Sequence, residues 1–250
     1  MTEIQSGIKR NDGFVWLKDA WEALPEDSMF RKVLPPPGRG SHYAGYGDNL
    51  NANSFFDQIH YIEPDLALAK PEQLKIGNHC CIGSDSIFML GGNHGHPLTA
   101  VSQSPLFHLD TAEWKNLRPN GDIVLEDDVW IGRGVTIMSG VTIGQGARIQ
   151  AGSMVVTDIP PYAIAGGVKA TVKRYRFSPE HIDILMNKIR WTKWSDDTIR
   201  ENVDLLLAPK PDWQALIKVA NDLEKRGELP PAPQNLPKIM IQKTLTDFTR

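Results

Sequence analysis

The sequence predicts a mainly β protein built as a repetitive coil, and three observations predict it. First, from Leu125 the chain divides into sixes, LEDDVW, IGRGVT, IMSGVT, IGQGAR, IQAGSM and VVTDIP. The first positions are Leu125, Ile131, Ile137, Ile143, Ile149 and Val155, and the fifth are Val129, Val135, Val141, Ala147, Ser153 and Ile159. The fourth is glycine at Gly134, Gly140, Gly146 and Gly152. With glycine at about 7% of residues, four in phase has a chance of roughly 10⁻⁴. Second, six is a multiple of the strand period of two and not of 3.6, which excludes helix. A large aliphatic at one position and a smaller residue four later suit short flat faces joined by tight corners, and glycine supplies the freedom the corners need. Stacked rungs then bury one continuous core. Third, the register recurs upstream at Ile76-Gly77, Ile82-Gly83 and Phe88. The repeat is therefore interrupted between Phe88 and about Ile123, and a loop thrown out of a rigid coil is a functional candidate.

The elements follow in order. Residues 1–35 read as a partly helical extension, with Phe14, Leu17 and Trp21 at helical spacing, and the proline-rich VLPPPGRG leads into the coil. The coil itself spans 36–172, with the interrupting loop at 91–122. Helices are expected over 173–227. Ser178 is an N-cap with Pro179 at N1, and Ile182, Leu185, Met186 and Ile189 form one apolar stripe. SDDTIRENVDLLL predicts a second helix capped at Ser195, and KPDWQALIKVANDLEKRG a third. Residues 228–250 read as a proline-rich tail.

Composition narrows the function classes. The chain has 250 residues and a formal charge of −3, enough for a real core and too balanced for a dedicated nucleic-acid binder. No apolar run is long enough to span a membrane, so no membrane partner is expected. The N-terminal MTEIQSGIKRNDGF lacks an apolar leader core, so a cytoplasmic location is expected. Cys80 and Cys81 are adjacent and too few for a disulfide framework, and are read as reduced structural thiols.

With these residues in view, the chain resembles the left-handed parallel β-helix acyltransferases, and among them the xenobiotic (chloramphenicol and streptogramin) O-acetyltransferases. The matching pieces run in order: GRGSHYAGY, SFFDQIHY, LKIGNHCCIG, DDVWIG, PPYAIAGG and the paired tryptophans of IRWTKW. The resemblance implies a left-handed β-helix and a homotrimer with acetyl-CoA bound between neighbouring subunits. It also implies a histidine general base on the protruding loop, and a small-molecule hydroxyl as acceptor. Family loops written Gly-Asn-Gln-Gly-His place the base at His96; those written Ala-Asn-His place it at His94. On the cofactor side the resemblance implies Trp130, Arg133, Ala151 and Gly152, with Lys169, Lys173 and Arg174 as cations for the CoA phosphates. On the acceptor side it implies Ser41, Tyr43, Tyr46, Asp57, Tyr61 and Asn93.

An imidazole that titrates near pH 6.5 suits this work, because it accepts the proton of an attacking hydroxyl at neutral pH and passes it to the departing thiolate. Two departures matter. GGVKA has Lys169 where the family has proline. Pro97 follows His96 where the antibiotic enzymes have arginine, so a sugar acceptor is as well supported as an antibiotic. Other readings stay open: another acyl group, an amine acceptor, or a non-catalytic β-helix scaffold. Some β-helix proteins are γ-class carbonic anhydrases that hold zinc with three histidines. The repeats from Leu125 to Pro160 contain no histidine, and His94 and His96 have no third member, so no metal is expected.

Overall fold

The structure is a computed structural model that describes residues 14–44, 55–60, 72–91, 101 and 120–230. Five of the expected site residues, Tyr46, Tyr61, Asn93, His94 and His96, lie outside the described residues, as does the tail from 231 onward. The chain divides between Arg174 and Tyr175 into two compact units.

In the first unit the strands are β1 (Phe14–Trp16), β2 (His42–Ala44), β3 (Ile59–His60), β4 (Leu74–Ile76), β5 (Cys81–Gly83), β6 (Ile87–Met89), β7 (Ile123–Leu125), β8 (Trp130–Ile131), β9 (Thr136–Met138), β10 (Thr142–Ile143), β11 (Arg148–Ile149), β12 (Met154–Val155), β13 (Ala163–Gly166) and β14 (Thr171–Tyr175). They form three sheets. Sheet A runs β1-β2-β5-β8-β11-β13-β14, sheet B runs β12-β9-β6-β3 and sheet C runs β10-β7-β4. From β4 to β12 the chain visits C, A and B in rotation, and β13 and β14 then extend sheet A. The first three strands after the interruption, β7, β8 and β9, each pair in parallel with the one three strands on, as Val124 with Thr142, Trp130 with Arg148 and Thr136 with Met154.

That offset is 18 residues, or three hexapeptides per circuit (142 − 124 = 18). Across the interruption the offset is 49 on all three faces, as Ile76 with Leu125, Ile82 with Ile131 and Phe88 with Ile137. The loop is therefore an insertion of 31 residues (49 − 18) that leaves the register unchanged.

The repeat positions fill the interior. Leu125 is 1% exposed, and Ile131, Ile137, Ile143, Ile149 and Val155 are fully buried. The fifth positions are buried as well, from Val129 at 1% to Ile159 at 3%. Burying one such aliphatic contributes about 1.5–3 kcal/mol, so the column of first positions adds substantially to the coil's stability.

Three edges join the faces. On the edge between C and A, Asn78 stacks on Asp127, its backbone N–H and side-chain amide donating to Asp127 Oδ1 at 2.8 and 3.1 Å. One level on, the Gln145 amide donates to Tyr162 Oη at 3.1 Å. Gly146 sits there with φ +68°, and a Cβ on it would lie 2.4 Å from the Tyr162 ring. The edge between A and B carries Asp85, Arg133-Gly134, Ala151-Gly152 and Gly166-Gly167. The edge between B and C is where the loop leaves and returns.

The N-terminal extension differs from the expectation at one point. Phe14 to Trp16 is strand, not helix, and pairs antiparallel with β2 from Phe14↔Ala44 to Trp16↔His42. The free edge of sheet A offered a ladder that outweighed the helical spacing, and its pairing covers otherwise open backbone groups. Helix begins at α1 (Leu17–Glu22), which buries Leu17 and Ala20, and resumes in α2 (Met29–Val33), capped by Ser28.

The second unit is helical. Ser178 caps α3 (Pro179–Asp183), accepting from the His181 N–H with Pro179 in the first turn. The helix continues as a π-helical turn, Ile184–Ile189, that buries Leu185 and Ile189. The expected second helix is split at Asn202 into α4 (Asp196–Glu201), capped by Ser195, and α5 (Val203–Leu207). Asn202 has φ −116° and ψ 19°, outside the helical range, and its side chain donates to Thr198 O at 2.8 Å, so it competes with the backbone ladder. The third helix is α6 (Trp213–Lys225), capped by Asp212. Buried Trp194 donates its indole N–H to Ile189 O at 3.0 Å. No described helix is long and apolar enough to cross a membrane.

Candidate active site

Four of the expected cofactor residues meet on the A/B edge. Gly152 N–H donates to Arg133 O at 2.8 Å, which stacks the Ala151-Gly152 corner on the Arg133-Gly134 corner. Gly134 N–H donates to Ser84 O at 2.9 Å one level below. One level above, Gly167 N–H donates to Ser153 Oγ at 3.1 Å, and Lys173 Nζ lies 3.9 Å from where a Gly167 Cβ would stand. Arg133, Ala151, Gly152 and Lys173 are all exposed.

This edge is open. Gly134 and Gly152 adopt φ of +65° and +68°, and a Cβ on either would meet no described atom within 4 Å. These corners are glycine because the backbone turns left-handed there, not because a neighbour fills the space.

The charges along the edge are loosely held. Arg133 Nε pairs with Asp85 Oδ2 at 2.7 Å, with side chains 67% and 59% exposed. An exposed pair of this kind contributes about 0–1 kcal/mol, so the guanidinium can change partners at little cost. Lys173 Nζ donates to Thr171 Oγ1, two residues away on the same strand, at 2.9 Å.

Lys169 is exposed, and its carbonyl oxygen lies 3.6 Å from the Gly167 Cβ position. The Val168–Lys169 peptide is cis. The turn stays tied to the last rung through Gly167 O, which accepts from Met154 N–H at 3.1 Å, and Ala170 N–H, which donates to Met154 O at 2.8 Å. Arg174 is exposed on β14.

Trp130 stands on the outward face of sheet A, 39% exposed. It occupies one row with Cys81 and Arg148, and the Arg148 guanidinium lies 5.4 Å from the Trp130 ring centroid. Sequence reasoning missed Arg148, although it lies one circuit of three hexapeptides beyond Trp130 and so shares its row. Burial raises the Cys81 thiol pKa, and the Arg148 charge partly offsets this.

The acceptor residues are not gathered in the same way. Ser41 is 1% exposed; its hydroxyl donates to Gly77 O at 2.6 Å and accepts from Cys80 N–H at 3.0 Å, a staple between rungs. Tyr43 is 3% exposed and packs on Phe55 with ring centroids 5.7 Å apart. Its hydroxyl accepts from Asp85 N–H at 3.1 Å. Burial is the main cause of its raised pKa. The period-two alternation of β2 turns these side chains inward. Asp57 is exposed, between β2 and β3.

Cys80 is fully buried, its thiol donating to Glu126 O at 3.0 Å, and burial pushes its pKa up to about 12. A thiol held neutral is no nucleophile at physiological pH.

The B/C edge carries a residue that sequence reasoning did not single out. Glu72, 6% exposed, accepts Gly91 N–H on Oε2 at 2.6 Å and Gly121 N–H on Oε1 at 2.8 Å. Gly91 and Gly121 flank the interrupting loop. The only sequence signal is an acid just ahead of a rung, matched by Asp122 ahead of β7, which accepts Gln73 N–H at 2.9 Å and pairs with Lys75 at 2.5 Å.

Comparison with known proteins supplies the family. A family model described as bacterial transferase hexapeptide (six repeats) matches residues 122–157. Chloramphenicol acetyltransferase of Escherichia coli is 38% identical over 174 residues, covering 68% of this chain and 80% of that protein. Galactoside O-acetyltransferase of Escherichia coli strain K12 is 31% identical over 163 residues, covering 61% of this chain and 70% of that one. A solved hexapeptide-repeat acetyltransferase from Vibrio cholerae, in complex with acetyl-CoA, aligns at 33% identity with a TM-score of 0.33, over 42% of this chain and 51% of that one, so the chain spans about half its length. The chain belongs to the hexapeptide-repeat acetyltransferases, within the xenobiotic acetyltransferase subfamily, and is an acetyl-transferring enzyme.

Proposed function

We propose that the protein transfers an acetyl group from acetyl-CoA to a hydroxyl of a small molecule, directly, with a histidine of the 91–122 loop as general base. The observation that carries the reading is the A/B edge. Small residues there leave room for the pantetheine arm of CoA along Ala151 and Gly152, and Arg133 and Lys173 stand at its margin with exposed charges. Cations at a groove mouth suit the phosphates of CoA. Lys169 and Arg174 are assigned to the same phosphates, and Trp130 to the flank of the groove.

In the proposed reaction His96 accepts the hydroxyl proton as the oxygen attacks the thioester carbonyl; His94 is the alternative base. The C–S bond breaks, and the CoA thiolate takes up the proton. No acyl-enzyme is needed, and the buried, neutral Cys80 supports direct transfer. Asp57, Tyr46, Tyr61 and Asn93 are assigned to the acceptor. Ser41 and Tyr43 are assigned to the packing of the coil, because their hydroxyls are already engaged. The acceptor class is an antibiotic or a sugar alcohol, in line with relatives named chloramphenicol and galactoside acetyltransferases.

The rotation of parallel rungs through three sheets supports a left-handed parallel β-helix. The A/B groove and the B/C loop stand on different edges, which supports a homotrimer with each site shared by two subunits.

The test is thiol release from acetyl-CoA over amphenicols, streptogramins, sugars and nucleotide-sugars. Wild type turns over at least one acceptor, and His96→Ala lowers kcat by about 10²–10⁴-fold. Loss with His94→Ala alone moves the base to His94. Absence of acetyl-CoA binding by calorimetry would favour a non-catalytic scaffold and refute the reading.

A further inference from the structure

We propose that Glu72 is a positioning residue for catalysis: it fixes both ends of the 91–122 loop and so sets where the loop's base stands. This rests on the reading that the loop carries that base. One buried carboxylate takes the N–H of the residue at which the loop leaves and the N–H of the residue to which it returns. The return end is tied to the next level too, because Gly121 O accepts from Gly140 N–H at 2.8 Å. A Cβ on Gly140 would lie 2.5 Å from Asn120 O, so the rung and the returning chain are in close contact.

The register of the rungs does not need Glu72. Asp122 holds Gln73 N–H, and Ile123 N–H donates to Gln73 O at 2.9 Å, so β4 and β7 are already locked. What Glu72 adds is a fixed separation of the two loop ends. Both bonds are charge-assisted, and they share one rigid, planar acceptor. A base displaced by about 1 Å from its working position loses of the order of 10²-fold in rate, so a device that fixes the loop ends acts on kcat.

Glu72→Gln tests this. Its amide oxygen still accepts one N–H, while its amide nitrogen meets the other as a second donor, so one loop end is released. The expected result is a kcat lower by ~10–100-fold, with the KM for acetyl-CoA changed by less than about twofold, because the A/B edge is untouched. Glu72→Asp, which keeps both acceptor oxygens, recovers part of the loss. Asn78→Ala is the control: it cuts the tie to Asp127 on the C/A edge, lowers Tm and leaves kcat unchanged. Amide exchange gives a readout independent of turnover, with peptides covering Gly91 and Gly121 exchanging faster in Glu72→Gln.

An active wild type whose Glu72→Gln variant keeps its kcat overturns the positioning role alone. So does an Asn78→Ala variant that loses as much kcat as Glu72→Gln, and so does unchanged exchange at Gly91 and Gly121. A wild type without turnover overturns the proposed activity, and the positioning role with it.

Discussion

The C/A and A/B edges are built from the same hexapeptide, yet one is closed and the other open. On C/A the left-handed corners are His79, Asp128, Gly146 and Tyr162, and the Asn78–Asp127 and Gln145–Tyr162 ties fill the space between levels. On A/B the corners Gly134 and Gly152 face no described atom where a Cβ would stand. Glycine is thus favoured on different grounds: by left-handed backbone and a neighbour's ring together at Gly146, and by backbone conformation alone at Gly152. The repeat explains the coil, and only the surroundings of each corner say which edge is free to take a ligand.

The largest expected effect tests the closed edge. Gly146→Ala adds left-handed strain and a contact with the Tyr162 ring, and is expected to destabilise by about 2–5 kcal/mol in urea unfolding. Gly152→Ala carries the strain alone, at about 1–2 kcal/mol. Equal losses at both positions would erase the distinction between the edges.

Next in size is the open edge as a binding surface. Gly152→Asn would meet no described atom within 4 Å at its Cβ, and asparagine tolerates the left-handed backbone, so it is expected to fold and yet raise the KM for acetyl-CoA roughly tenfold. Smaller still, Arg133→Ala and Lys173→Ala should each raise that KM about threefold to tenfold, with the effect shrinking at high salt because both cations are exposed. Equal effects from Lys75→Ala, on the outward face of sheet C, would reduce these to general charge effects.

An effect confined to alkaline pH concerns the closed interior. The Cys80 thiol has a pKa of about 12 against an ordinary 9.0, so the folded state holds its proton more tightly than the unfolded chain. Its contribution is fully present below pH 9 and is lost as pH rises from 9 towards 12, where the unfolded chain has given up the proton and the fold has not. Cys80→Ala should flatten that alkaline decline in thermal melts, and an unchanged slope would place the decline elsewhere.

The coil was the legible part, because six-residue spacing is a periodic property and the buried columns of Ile131 and Ile149 follow from it directly. The strand at Phe14–Trp16 was not legible, because its conformation is set by the free edge of β2, which lies about 30 residues away and leaves no local pattern. Among site residues, Arg133, Ala151, Gly152 and Lys173 came from motif resemblance and share an edge. Ser41 and Tyr43 came from the same source and turned inward, since resemblance carries residue type and not the direction of a side chain. Glu72 left only the signal of an acid just ahead of a rung, because its two partners are backbone N–H groups far off in sequence.

The most direct test of the account is complementation between two silent variants. Gly152→Trp fills the open A/B edge proposed to hold acetyl-CoA, and the double variant His94→Ala, His96→Ala removes both candidate bases. Unfolded and refolded together, they should form mixed oligomers, verified by native mass spectrometry. If each site takes its groove from one subunit and its loop from the next, random mixing leaves about a quarter of sites with both parts intact, and thiol release returns from background to that fraction of wild type. Mixed oligomers that stay silent would contradict the shared site.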